Sequence, residues 1–398
     1  YFTEYSNSSS LKLISNFSGS AGFALIMKNK NYLFVDGRYT LQAKKESGKK
    51  FKILEIPYFW PKNLLNKSKK KISIGFDPNL FTYFALNRYF ENSCNLIPIN
   101  ESIFNKSNNL ILKNKKFFLL NDIITGEKTN IKIKKITKIL KSNKLDNIFI
   151  SAGENICWLL NIRGKDLPNS PVANCKLILT KNNRIYFFSD KAKISKIKSI
   201  QKKLNISFHQ EDDFFEILSQ IKKGSFCIDH LTCSVFEQEL INSKFIVKKK
   251  IDPIYFFKSI KNKIEIKNTI KTHIYDGAAL TKFLIWVKNN YRSKKISEIS
   301  AQNKLLKFRK KNKHFKSLSF PTISGSGPNA AIIHYKANNK TNRILKNGDL
   351  YLVDSGGQYN FGTTDVTRTI SLNNNQKRVK NIFTRVLKGH IAVFHTDL

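Results

Sequence analysis

The stretch VDSGGQYNFGTTDVTRT, residues 353–369, joins two runs of strand-forming residues through a turn-forming centre. LYLVD (350–354) and TTDVTRTI (363–370) are rich in β-branched and apolar residues, which favour strands. Between them, GGQYNFG supplies residues that tolerate the backbone dihedrals of turns. The stretch therefore predicts an antiparallel hairpin.

Two carboxylates, Asp354 and Asp365, lie one on each predicted strand. If they are directly opposed, the hairpin is centred between Tyr359 and Asn360, inside the predicted turn. Opposed Cβ atoms lie roughly 4.5–5.5 Å apart, which suits carboxylates that share two metal ions roughly 3.5–4 Å apart. Without a cation, two carboxylates so close repel each other and one pKa rises. We expect both side chains to converge on one face of the hairpin.

These residues alone leave two interpretations of the pair open. In one, Asp354 caps a turn and Asp365 sits on an exposed strand face, as isolated Asp residues often do. In the other, both bind metal, and the hydroxyls of Thr364 and Thr367 orient the carboxylates.

The composition is that of a globular protein. A chain of 398 residues with 41% hydrophobic content is long enough for two or three domains. No stretch approaches the roughly 18 consecutive apolar residues that span a bilayer. Five cysteines without a CxxC pair predict buried thiols in a reducing compartment.

The charge is strongly basic, with 70 Lys and Arg against 28 Asp and Glu, a net charge of +42. Such an excess raises the hypothesis of a nucleic-acid partner. The lysines, however, lie along the whole chain together with many Asn, Ile and Phe residues, as AT-rich codon usage favours. We expect neither a specific nucleic-acid partner nor a membrane partner.

The order of predicted elements indicates an α/β (α+β) fold class. Residues 17–43 predict strand, turn, strand and helix, and the block from residue 130 repeats helices and strands on a similar scale. From about residue 254 a long helical pattern begins, with apolar residues at three- and four-residue steps. We predict three domains, at residues 1–122, 123–254 and 255–398.

Three runs in the last domain carry a family resemblance: FPTISGSGPNAAIIHYKA (320–337), DLYLVDSGGQYNFGTTDVTRT (349–369) and FTRVLKGHIAV (383–393). In order and spacing they resemble the catalytic domain of the Xaa-Pro aminopeptidases (aminopeptidase P), metallopeptidases of the creatinase or pita-bread fold. FSGSAGFALI (17–26) with FVDGRYTLQA (34–43), and ICWLLNIRG (156–164), resemble the two preceding domains of the long form. The resemblance implies two creatinase-N-like α/β domains followed by an incomplete pita-bread catalytic domain.

The activity implied is hydrolysis of the bond between an N-terminal residue and a following proline. The family uses two divalent metal ions, usually Mn²⁺, held by two Asp, one His and two Glu. Asp354 and Asp365 match the two Asp. The chain begins at Tyr1 and stops at Leu398 inside a predicted helix. We expect the other three ligands beyond Leu398, and a chain that is inactive by itself.

Two further residues match family positions. His334 resembles the histidine that hydrogen-bonds substrate and stabilises the tetrahedral intermediate. Arg38 resembles an arginine that reaches toward the substrate, with a structural salt bridge as the alternative. His390 and His395 match no ligand position, so we expect neither to bind metal.

The resemblance also implies a cytoplasmic protein that is a homodimer at full length, with Xaa-Pro peptides as its partners. Two alternatives remain open. One is a non-catalytic pita-bread homologue that binds peptides or proteins, and the other is a prolidase-like enzyme that cleaves only dipeptides.

Overall fold

The structure is a computed structural model that describes residues 10–66, 71–99, 115–222, 224–372 and 377–396. It divides into two compact units, Tyr1–Lys271 and Thr272–Leu398. Both units mix helices and sheets, which confirms the predicted α/β class. No helix within the described ranges is long and apolar enough to cross a membrane.

The first part of the first unit contains a three-stranded and a two-stranded sheet. The predicted strands FALIM and YLFVD are confirmed and pair antiparallel, and the second of them pairs parallel with the next strand. The elements are α1 (Ser10–Ser15), β1 (Phe23–Ile26), β2 (Asn31–Asp36), α2 (Thr40–Ser47), β3 (Lys52–Ile56), α3 (Pro61–Leu65), β4 (Ser73–Phe76), α4 (Tyr83–Phe90) and β5 (Asn95–Pro98).

A six-stranded sheet forms the centre of the second part of this unit. Its elements follow in chain order: β6 (Phe118–Leu119), α5 (Asp122–Thr125), α6 (Thr129–Ser142), β7 (Asn147–Ile150), α7 (Gly153–Leu159), β8 (Ile162–Arg163), β9 (Lys176–Thr180), β10 (Ile185–Phe188), α8 (Gln201–Leu204), β11 (Ile206–His209), α9 (Phe214–Gln220), β12 (Ser225–Ile228), α10 (Val235–Asn242), β13 (Ile246–Lys249) and α11 (Pro253–Ser259).

The strand order in this sheet is β11-β10-β9-β7-β12-β13. Every residue of β7 (NIFI) and β10 (IYFF) is buried, because hydrophobic clusters cover both faces of the sheet. Continuous apolar runs are typical of strands buried on both sides. The predicted strands NIFIS, CKLILT and RIYFFS are thereby confirmed.

The predicted long helix from about residue 254 is interrupted. It consists of α11 and α12 (Lys263–Asn290). Asn262 explains the break, since its Oδ1 accepts hydrogen bonds from the Ile264 and Glu265 backbone N–H groups at 3.0 and 2.9 Å. The Glu265 carboxylate accepts from the Asn262 N–H in return at 2.9 Å. This reciprocal cap starts a new helix.

The second unit contains two three-stranded sheets. Side chains of α12, including the fully buried Phe283 and Val287, pack in one core with Tyr351 and Val353. The remaining elements are α13 (Glu298–Lys310), β14 (Phe315–Leu318), β15 (Ile323–Ser326), β16 (Leu350–Ser355), β17 (Gly357–Tyr359), β18 (Gly362–Thr363), β19 (Val366–Ser371) and α14 (Lys377–Phe394). The strand orders in the two sheets are β15-β16-β19 and β14-β17-β18.

Candidate metal centre

The hairpin around the two carboxylates has a different register from the predicted one. Asp354 on β16 lies opposite Thr367 on β19, and Tyr359 lies opposite Gly362. The hairpin is therefore centred between residues 360 and 361, and the predicted centre was wrong by one position. His314 contributes to this turn, because its carbonyl accepts a hydrogen bond from the residue 360 N–H at 3.0 Å and its ring lies 5.1 Å from that of residue 361.

The predicted second strand is interrupted at Thr364 and Asp365, which lie between β18 and β19. The buried Thr364 hydroxyl accepts a hydrogen bond from the Gly357 N–H at 2.9 Å. The expected orientation of the carboxylates by Thr364 was therefore wrong. A side chain on Gly356 is excluded, since its Cβ would lie 1.9 Å from the Thr364 carbonyl oxygen. Gly356 lies between β16 and β17, which belong to different sheets, and only glycine fits where the chain passes from one sheet to the other.

Asp354 and Asp365 nevertheless converge. Asp365 directly precedes β19 and is two residues before Thr367, the residue opposite Asp354, which makes the two carboxylates diagonal neighbours. Asp365 is largely exposed, and its pKa is raised, first by the partial desolvation of its carboxylate and then by the charge of Asp354 and a hydrogen bond between the two side chains. The predicted convergence is confirmed, although the two residues are not directly opposed.

One oxygen of this pair is left without a partner. Oδ1 of Asp354 is buried and accepts no hydrogen bond. An unsatisfied buried carboxylate oxygen is costly, and carboxylate oxygens suit hard divalent ions such as Mn²⁺ or Mg²⁺. The two side chains therefore fit a divalent cation. Among the described residues no third His, Cys, Asp or Glu joins them to complete a metal-binding group.

A buried ion pair supports the strand that carries Asp354. The Arg309 guanidinium, on α13, donates to both carboxylate oxygens of Asp276, on α12, at 2.7 and 2.9 Å. Arg309 also donates to the Ser355 hydroxyl at 3.0 Å, and the Tyr359 hydroxyl donates to Asp276 at 2.7 Å. Sequence reasoning missed this network. The sequence contains one indication of the network: Asp276, in IYDGAAL (274–280), is an acidic residue on the apolar face of a helix.

His334 lies in a turn and not at the end of a strand, so the predicted strand AAII was wrong. A 3₁₀ helix, Gly327–Ala331, precedes this turn. Pro328 at its start removes a backbone donor that a strand ladder would use. His334 itself is half-buried and has a left-handed backbone conformation, with φ of +55°.

Arg38 lies in the first unit, two residues after the end of β2. Its guanidinium donates to both oxygens of Asp36, at 2.9 and 2.8 Å, and its side chain is 49% exposed. His390 lies on α14 and His395 directly follows that helix, and both are exposed. Neither belongs to a cluster of potential metal ligands in the described part of the chain.

All five cysteines are buried free thiols, which confirms their predicted burial. Burial raises the pKa of the thiols of Cys157 and Cys227 to about 11. Thiols of this kind are structural rather than reactive. They add no ligand to the carboxylate pair.

Comparison with protein families divides the chain into three matched segments. Residues 1–105 and 111–265 match two versions of the creatinase/prolidase N-terminal domain, and residues 267–396 match metallopeptidase family M24. The last segment contains both converging carboxylates. The chain belongs to the M24 metallopeptidases.

Among related M24 proteins, Xaa-Pro aminopeptidase 1 of Dictyostelium discoideum is 33% identical over 406 residues, which cover 96% of this chain and 64% of the relative. A probable Xaa-Pro aminopeptidase P of Laccaria bicolor is 32% identical over 402 residues, covering 96% and 62%. The chain thus spans less than two thirds of the length of these relatives.

The fold of this M24 protein is similar to a crystal structure of X-prolyl aminopeptidase from Caenorhabditis elegans. The TM-score is 0.86 at 27% identity, and the match covers 95% of this chain and 64% of the other. That protein is described as a cytosolic enzyme with a di-nuclear active site. The predicted family and the creatinase-N and pita-bread folds are therefore confirmed.

Proposed function

We propose that this chain is part of a metal-dependent aminopeptidase that hydrolyses the bond between an N-terminal residue and a following proline. The observation that carries the proposal is the converging pair Asp354 and Asp365 within an M24 segment. Relatives named Xaa-Pro aminopeptidase match 96% of the chain, which supports the substrate class.

Asp354 and Asp365 would hold divalent ions, and we propose two divalent ions, namely Mn²⁺, as the cofactors. When bound, such ions supply a nucleophile at neutral pH and stabilise negative charge on the substrate carbonyl oxygen. The unpartnered Oδ1 of Asp354 and the raised pKa of Asp365 support this assignment. We further propose that one His and two Glu ligands come from outside residues 1–398.

His334 is the proposed catalytic residue of this chain and also a proposed substrate ligand. Its imidazole would donate a hydrogen bond to the substrate oxygen as negative charge develops there. Arg38 is a second proposed substrate ligand, because an exposed guanidinium can grip a carbonyl or carboxylate in a fixed geometry. In the structure the Arg38 guanidinium donates to both carboxylate oxygens of Asp36, so substrate binding would have to compete with that ion pair.

We also propose the domain boundaries, the cellular location and the oligomeric state of the protein. We propose domains at residues 1–122, 123–254 and 255–398, supported by the three family segments. A cytoplasmic location and a homodimer at full length are also proposed. Buried free thiols and the cytosolic C. elegans relative support the location.

The test compares two proteins on an Xaa-Pro-Pro peptide with added Mn²⁺: the 398-residue chain and the longest form encoded in its reading frame. Activity in the longer form alone supports the proposal. Equal activity in both would show that the assignment of outside ligands is wrong. Cleavage restricted to Xaa-Pro dipeptides would favour a prolidase. Inactivity of both proteins would favour a non-catalytic homologue.

A further inference from the structure

The loop that carries His334 is anchored on one buried carboxylate, that of Glu298, which is 0% exposed. Its Oε1 accepts hydrogen bonds from the Ser326 N–H at 2.7 Å and the Asn329 side-chain amide at 3.1 Å. Its Oε2 accepts from the Tyr335 hydroxyl at 2.8 Å and the Arg343 N–H at 3.0 Å. The four donors come from both ends and the middle of one loop, residues 326–343.

Glu298 is itself held in place from three sides. It is the first residue of α13, where the helix dipole favours a negative charge. Its backbone N–H donates to the Arg343 carbonyl at 2.9 Å, and its carbonyl accepts from the Ser324 hydroxyl at 2.9 Å. A buried carboxylate is tolerated only when its oxygens are satisfied. The carboxylate and the loop therefore stabilise each other.

His334 lies between two of these anchored residues. Asn329 precedes it by five positions, and the buried Tyr335 follows it directly. Asn329 also donates to the Tyr335 hydroxyl at 2.8 Å, which links the two anchors. The left-handed backbone of His334 is unfavourable for a residue with a side chain and persists only when neighbouring contacts impose it.

We propose that Glu298 is a positioning residue for His334. It contacts neither substrate nor metal in this assignment, and it acts by holding the loop so that the imidazole of His334 points in one direction. The inference rests on the catalytic role proposed for His334. A sub-ångström displacement of a group that stabilises charge is costly for catalysis.

The test uses the 398-residue chain with ¹³C-labelled histidine, and it reads the imidazole Cε1 signal of His334, assigned with His334→Gln. Glu298→Gln keeps the shape of the side chain but replaces one acceptor by a donor. Tyr335→Phe removes one hydroxyl and keeps the ring. We expect both variants to shift or broaden the His334 signal and to leave that of His314 in place.

Val287→Ala is the matched control. Val287 is fully buried in the same unit but contacts the core of α12 and α13 rather than the loop. The Val287→Ala substitution lowers stability by opening a cavity. If the His334 signal shifts as much in Val287→Ala as in Glu298→Gln, the shift reflects general destabilisation. Unchanged His334 signals in Glu298→Gln and Tyr335→Phe would overturn the inference. If Glu298→Gln does not fold, Tyr335→Phe decides.

An activity measurement separates this inference from the proposed function. In a form of the protein that cleaves Xaa-Pro peptides, Glu298→Gln should lower kcat by about 10- to 100-fold, the scale of a misplaced catalytic group, with KM little changed. If His334→Ala keeps near-normal turnover, the proposed role of His334 fails. The signal shift would then still show that Glu298 positions the loop.

Discussion

Asp354 lies opposite Thr367 in the β-ladder, and yet its side chain meets that of Asp365, which is two residues before Thr367 and directly precedes the partner strand. The diagonal contact places two negative charges together with one buried oxygen unsatisfied. In the absence of a cation this is an unfavourable arrangement. It gives the carboxylate pair measurable consequences for stability and for metal binding.

The first prediction concerns pH. Because the folded state raises the pKa of Asp365 above its ordinary value of 3.8, the folded state binds a proton more tightly than the unfolded state. The stability associated with protonated Asp365 is therefore complete below pH 3.8 and is lost as the pH rises through the raised value. Without metal, Asp365→Asn should be more stable than the wild type above that window.

Urea unfolding at a series of pH values checks this, read from Trp286 in a background with Trp60→Phe and Trp158→Phe. Asp212→Asn is the control, since Asp212 is an exposed carboxylate of the first unit. A larger free energy of unfolding for the wild type than for Asp365→Asn at neutral pH, in metal-free buffer, would contradict the prediction.

The second prediction concerns the metal. Two carboxylates with one unsatisfied oxygen should bind a single Mn²⁺ ion weakly in the 398-residue chain. Asp354→Asn and Asp365→Asn should each abolish this binding, whereas Asp212→Asn should not alter it. Electron paramagnetic resonance of free and bound Mn²⁺ measures it directly. Equal binding by all three variants would show that other carboxylates hold the ion.

The third prediction places His334 near the carboxylate pair. Bound Mn²⁺ is paramagnetic and broadens the signals of nearby nuclei, so the His334 signal should broaden at lower Mn²⁺ concentration than the His209 signal. Asp354→Asn should remove the difference. Histidine-labelled protein titrated with Mn²⁺ tests this, and simultaneous broadening of both signals would contradict the placement of His334 near the carboxylate pair.

The fourth prediction concerns the buried ion pair behind the centre. Asp276→Asn leaves the fully buried Arg309 guanidinium without its counter-charge, and removing one partner of such a pair costs about 3–5 kcal/mol. We expect this loss in the free energy of unfolding of the second unit, read from Trp286. Asp146→Asn removes a partly exposed partner of Lys181, and such surface pairs contribute about 0–1 kcal/mol. Equal losses would contradict the assignment.

Several elements were predictable because their signals are local. β7, β9 and β10 are short apolar runs bounded by turns, and the family runs around His334 and Asp354 are contiguous in the sequence. The convergence of Asp354 and Asp365 also followed from the sequence. In an antiparallel hairpin, side chains alternate between the two faces. Two residues on paired strands therefore share a face when one lies an even number of positions from the residue opposite the other.

Other features depended on contacts between distant residues. The hairpin register involves His314, which holds a turn 46 positions away through Asn360. The His334 loop is set by Glu298, 37 positions before Tyr335 and 45 before Arg343.

The sequence by itself thus determined the α/β fold class, the family and the identity of the carboxylate pair, because hydrophobic patterns and motifs are encoded within a few residues. Only the tertiary structure decided the diagonal geometry of that pair, the turn at His334 and the pairing of Asp276 with Arg309. The physical reason is that a buried polar group takes whichever partner the packed core brings within hydrogen-bond distance. Periodicity along the chain does not specify that partner.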